Sequence, residues 1–220
     1  MTPGLVLALW ACGVAVGTAI VAYWRIVGPG FFWLAGGVVA LFGLGAAVFG
    51  GDLSSWIGIL LAVGGALVAR RALLCAAYFA ASAVMFLAVG VLESAVVPFL
   101  TGALLLGAMT TLMMLGHWYL VDPQLPRRAL LRLDLAAGAG LVADFIYMVV
   151  VGTILEWQPA DAILGWTYIA LTVLTFLLVV ATWYSLQEPA YSGVMAATGL
   201  SYLGVLTSFG VVVLGRVLTE

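Results

Sequence analysis

The chain has no lysine and no asparagine, a single histidine, two cysteines and, across 220 residues, only seven arginines and nine acidic residues. Each scarcity removes a class of chemistry. Without lysine there is no Schiff base to retinal or pyridoxal phosphate and no Walker A phosphate loop. One histidine, His117, excludes an HExxH zinc site, a poly-histidine metal centre and a bis-histidine haem held within the chain. Isolated Cys12 and Cys75 exclude a disulfide scaffold, a CxxC redox motif and a cysteine zinc site. A net charge of −2 with no basic stripe excludes a nucleic-acid partner. The charged share, 7%, is too small to cover the outside of a water-soluble domain, and 66% of the residues are hydrophobic with mean hydropathy +1.28. The bilayer is the solvent for this chain.

What is present is a succession of apolar runs. A span of ~30 Å of hydrocarbon takes about 20 helical residues, and lipid demands that backbone amides pair within the segment, so the runs predict helices. Eight are expected, at 3–24, 30–50, 53–69, 72–92, 95–121, 129–155, 163–186 and 190–216, forming one all-α, polytopic membrane domain over residues 1–220 with short loops. The first run lacks a basic leader and is followed by further spans, which reads as a retained helix and not a cleaved signal peptide. Arg25, Arg70, Arg71, Arg127, Arg128 and Arg132 fall at alternate turns, while Asp52, Glu93, Glu156 and Asp161 mark the opposite ones; Arg216 breaks the pattern. By the positive-inside rule the arginine turns are cytoplasmic and both termini lie outside, as in a bacterial cytoplasmic membrane.

Trp24, Trp33, Trp56, Trp118, Trp157, Trp166 and Trp183 lie near predicted ends, with Trp10 deeper, and every proline, Pro159 included, lies at or near a helix end. Glycines are spread through the spans. Gly13 and Gly17 form a GxxxG in the first, suited to close helix packing within the bundle or against a partner subunit. The two four-helix halves share length but not the placement of charge or proline, so the sequence carries no repeat.

Ionisable groups inside a bilayer cost about 2.5–3.5 kcal/mol each at a helix centre and call for a partner or a purpose. Three qualify: His117 in the fifth helix, Asp134 and Asp144 in the sixth. About a hairpin turn centred near Leu125, His117 and Asp134 mirror each other, each about one helical turn inside the arginine-rich boundary, which would make an imidazole–carboxylate couple able to pass a proton. Alternatively Asp134 pairs with Arg128, Arg132 or Tyr119. Asp144 is expected ~15 Å deeper, near the midplane and level with Gly107, with Gly138 and Gly140 leaving space. Its expected hydrogen-bond partners are Tyr147, Thr110, Thr111 and Thr153, and it would open with Asp134 onto one wide cavity. Met113 at i−4 from His117 cannot share a porphyrin with it, since axial ligands approach from opposite faces.

These features point first to an accessory or quinone- and proton-handling subunit of a larger membrane complex, one that transfers electrons. Its partners would be membrane lipids and other membrane subunits, its cofactor a quinone, and its role at most that of a non-catalytic subunit. A haem or chlorin held through His117 is the lesser cofactor reading. The alternative function is a small proton-coupled permease with Asp144 as its carrier. A lipid-modifying enzyme lacks a visible nucleophile or metal cluster.

Overall fold

Among the described residues, apolar runs punctuated at their ends by proline, glycine and arginine become eight helices: α1 (Pro3–Trp24), α2 (Pro29–Gly50), α3 (Leu53–Leu67), α4 (Ala72–Leu92), α5 (Val96–Val121), α6 (Arg127–Val150), α7 (Ala162–Gln187) and α8 (Tyr191–Leu218). The computed structural model describes residues 2–92, 96–151 and 162–219, and among these there is no strand. Thr153, Trp157, Pro159, Glu93, Glu156, Asp161 and the stretch 152–155 expected in the sixth helix lie outside the described residues.

Seven of the helices are long and apolar enough to cross a membrane, so the protein is a multi-pass membrane bundle. The exception is α3. Its 15 residues end at Leu67, short of the expected 69, and span only about 22 Å. The Gly64-Gly65 pair weakens its last turns, and the Val68 N–H bonds back to Gly64 and Ala66 before the arginine turn. Large apolar side chains such as Leu41, Val48, Leu60, Ile163 and Leu177 are exposed on the outside of the bundle, as a lipid-facing surface requires.

The helices form two rings. In the first, α1 packs on α2 and α4, and α3 closes the circle between α2 and α4; in the second, α5 packs on α6 and α8, and α7 closes the circle. Chain neighbours run antiparallel, and the rings meet along α1 and α5, the two most buried spans. Along this seam residue numbers rise together, Gly13 with Ala103 and Gly107, Gly17 with Thr111, so the two helices run parallel. The halves therefore share a topology of which the sequence gives no sign.

Glycine makes the seam. A Cβ on Gly13 would lie 2.0 Å from the Ala103 carbonyl oxygen, and one on Gly107 would lie 2.2 Å from the Gly13 carbonyl carbon. In lipid, where no hydrophobic force drives helices together, such backbone approach supplies the dispersion contact that holds them. The first-helix glycines thus serve packing inside the bundle. Trp10 locks the same seam, donating from Nε1 to Thr110 Oγ1 at 2.8 Å while stacking on Phe42 at 4.2 Å.

Up-down alternation gathers the turns that carry Arg25, Arg70, Arg71, Arg127, Arg128 and Arg132 at one end of the bundle. There the Arg132 guanidinium lies 5.6 Å from the Trp24 ring centroid. Arg127 donates to the Glu188 carbonyl, to those of Pro189 (2.8 Å) and Ala190 (3.1 Å), and to the Tyr119 hydroxyl (3.4 Å), fixing the turn before α8.

Candidate functional site

The register of the α5–α6 hairpin decides what each polar residue meets. A Cβ on Gly140 would lie 2.6 Å from the Leu105 backbone, and Asp144 accepts from Thr101, so Asp144 stands level with Thr101 and not with Gly107. The difference is six residues, about 9 Å along a helix. It arises because the turn is not symmetric: α6 begins at Arg127 and not at 129, and Leu125 folds back into the core. Carried to Asp134, the same shift sets it opposite Thr111, while His117 lies closer to the turn.

His117 and Asp134 consequently do not form the expected couple. His117 is exposed on the bundle surface. Asp134 is fully buried, and neither carboxylate oxygen has a hydrogen-bond partner among the described residues, so it pairs with none of His117, Arg128, Arg132 or Tyr119. Burying a carboxyl group without a partner is costly.

Asp134 lies behind the wall of an open space, its own oxygens covered. A cleft of about 680 Å³ separates α6 from α7, lined by Asp134, Gly138 and Ala139 on one side and by Phe176, Trp183 and Tyr184 on the other. The small residues of α6 create it: a Cβ added at Gly138 would only just touch Val179, at 3.4 Å. Leu135, Val142, Phe176 and Tyr184, which also line it, are exposed on the outside of the bundle, so the cleft opens sideways toward lipid. Its size suits a drug-sized ligand, and a mostly apolar wall with one polar group is the usual make-up of such sites.

Comparison of the chain with protein-family models, with curated proteins and with solved structures finds no match. The chemistry of this chain is read from its own geometry.

Asp144 lies in a different place, and the two aspartates do not share a cavity. It forms a buried ion pair with Nη2 of Arg216, whose side chain is 1% exposed. The Thr101 hydroxyl donates to Asp144 Oδ1 at 2.7 Å, and Arg216 Nη2 also donates to Thr101 Oγ1 at 3.1 Å and to the Pro98 carbonyl at 2.6 Å. Tyr147 joins the group through its ring, whose centroid is 5.7 Å from the guanidinium carbon, and not as the hydrogen-bond partner of Asp144. Of the other expected partners, Thr110 accepts from Trp10, and the Thr111 hydroxyl has no partner among the described residues and packs at Gly17.

The cluster sits away from the middle of the spans. Pro98 and Thr101 belong to the first two turns of α5 and Arg216 to the last turn of α8, at the end opposite the arginine turns. Gly102 makes room for the guanidinium, since a Cβ there would stand 3.2 Å from Nη2.

Arg216 is the residue that sequence reasoning missed. It looked like the exception to the charge alternation, yet it is no loop charge at all. The available signal was local: Leu214-Gly215-Arg216-Val217-Leu218 sets a lone cation inside an apolar run, the same reason for which Asp144 stood out. Among the described residues no three of His, Cys, Asp and Glu gather as a metal site would require. Cys12 and Cys75 are buried free thiols, the first donating to the Ala83 carbonyl at 3.3 Å.

Proposed function

We propose that the protein is a quinone- and proton-handling subunit of a larger membrane complex, with the α6–α7 cleft as the quinone site and Asp134 as the group that meets the headgroup. One observation carries this reading: a fully buried carboxyl, with no hydrogen-bond partner among the described residues, lies just behind the inner wall of an apolar cleft that opens toward lipid, one side-chain rotation from its space. A quinone suits it on three counts. Its ring fits between small residues of α6 and the aromatic side chains of α7, its carbonyl oxygens can take a hydrogen bond from the carboxyl in its acid form, and its isoprenoid tail can leave sideways into acyl chains. Asp134 would hand a proton to the headgroup as electrons arrive from a redox-active partner subunit.

The same reading has all eight helices crossing, both termini outside and the arginine end cytoplasmic in a bacterial membrane, supported by six arginines at one end of the bundle. It places the site about 10 Å along α6 from Arg127, within reach of aqueous protons. The permease alternative is less well supported, because its carrier, Asp144, is already engaged by Arg216.

The test is to purify the protein in mild detergent, extract it and quantify quinone by mass spectrometry, alongside Asp134→Asn and a cleft-filling Gly138→Phe variant. About one quinone per chain in the native protein, lost in both variants while the fold is retained, is the expected result. No quinone in the native protein and no binding of a short-chain quinone analogue would refute it. A visible absorption spectrum of the same sample reports on His117: a Soret or chlorin band would assign a pigment to the exposed imidazole instead.

A further inference from the structure

The guanidinium of Arg216 is only half used. It carries five N–H donors in a rigid fork. Nη2 serves Asp144, Thr101 and the Pro98 carbonyl, whereas Nε and Nη1 meet no acceptor among the described residues although the side chain is 1% exposed. A buried cation with two idle nitrogens, three N–H donors between them, is a demand for oxygen atoms.

The same side chain lines a cavity of about 380 Å³ between α1 and α8, walled by Pro3, Val6 and Leu7 on one side and Phe209, Val213 and Val217 on the other. Every wall residue except Arg216 is apolar. The α1 side of the wall is the first turn of that helix, where the aligned peptide dipoles leave a partial positive charge. That charge adds to the guanidinium, and Asp144 occupies its Nη2 edge alone, so the remaining edge is the side on which a second anion meets least repulsion.

From these observations we infer that the α1–α8 cavity binds an acyl-chain amphiphile by its anionic oxygen headgroup, with Arg216 Nε and Nη1 donating to the headgroup oxygens and the chain lying along Val6, Phe209 and Val213. A carboxylate or a phosphate meets the requirement equally, because each offers two oxygens to the planar fork. The site lies toward the end of the bundle opposite Asp134, between other helices than the α6–α7 cleft, and is independent of the quinone reading. The apolar walls exclude a free inorganic anion as the natural occupant, since an ion without a chain would leave them uncovered.

The full chain in detergent should be titrated with palmitate, with phosphatidylglycerol and with uncharged monoolein, and binding followed by native mass spectrometry. Two variants accompany it. Val213→Phe fills the cavity and leaves the ion pair in place; Asp144→Leu/Arg216→Met removes both charges together. The expected result is retention of palmitate, of phosphatidylglycerol or of both at least about tenfold more tightly than monoolein, the loss of two charge-assisted hydrogen bonds being worth at least that factor. Both variants should abolish the difference while melting within a few degrees of the native protein without lipid. Binding of palmitate alone identifies a free fatty acid as the source, and of phosphatidylglycerol alone a membrane lipid. Acidic amphiphiles that bind no better than monoolein, or a Val213→Phe protein that binds them unchanged, would overturn the inference.

Discussion

Replacing Arg216 by methionine should be among the most damaging single changes in the chain. Methionine keeps most of the volume but leaves Asp144 fully buried with only the Thr101 hydroxyl as a donor. Removing one member of a buried ion pair costs about 3–5 kcal/mol, because the remaining charge keeps its desolvation cost and loses its compensation. For a chain of this length that corresponds to a fall in melting temperature of roughly 6–20 °C. Asp144→Leu alone should cost a similar amount, through the orphaned guanidinium. The double variant Asp144→Leu/Arg216→Met should recover nearly all of the loss, since a well-packed apolar pair in place of a buried ion pair is often neutral or better. The assay is a double-mutant cycle on stability in detergent, by thermal melting or denaturant titration. Additive losses in the double variant, or a single-variant loss under about 1 kcal/mol, would refute the claim that the two side chains depend on each other.

The other expectations are quickly stated. Asp134→Leu should leave stability unchanged or raise it by about 1–3 kcal/mol, because it removes an unpartnered buried carboxyl; a clear loss in a melting experiment would mean that the group has a structural partner. Gly107→Leu should cost more than about 3 kcal/mol or abolish folding, since its Cβ would lie inside the backbone of α1 at Gly13; a monodisperse, fully stable variant would show the α1–α5 seam to be wrong. Arg127→Ala should loosen the turn before α8, read as faster amide exchange over residues 188–193 with a loss of about 1–3 kcal/mol, and lysine should rescue it only in part. His117→Ala, at an exposed position, should change stability by less than about 0.5 kcal/mol.

The helices were legible because hydrocarbon thickness and backbone pairing leave a long apolar run one outcome, and most ends agree within two residues. Where α3 stops short, the Gly64-Gly65 pair was visible but its effect depends on how Tyr78 and Phe79 of α4 pack on it. The candidate site was half legible. Composition singled out Asp134, Asp144 and His117, since each costs energy in lipid wherever it points. Their partners depended on register, and a hairpin drawn symmetrically about Leu125 cannot know that Leu125 turns inward and α6 restarts early. Arg216 escaped for a related reason: a charge close to a span's end reads equally well as a loop residue until a carboxylate 72 positions away is seen to claim it. The ring topology left no trace because helix packing in lipid is satisfied by many different small and branched residues, so two halves can share a path without sharing letters.

The glycine seam has a consequence for how the polypeptide is organised. Each four-helix ring closes on itself through its own antiparallel neighbours, and the two are joined chiefly by one parallel helix pair whose backbones touch at Gly13 and Gly107. Severed between α4 and α5 and made as two fragments, the halves should each insert, dock side by side in the bilayer and restore the whole, with the fit of those two bare backbones serving as the recognition code.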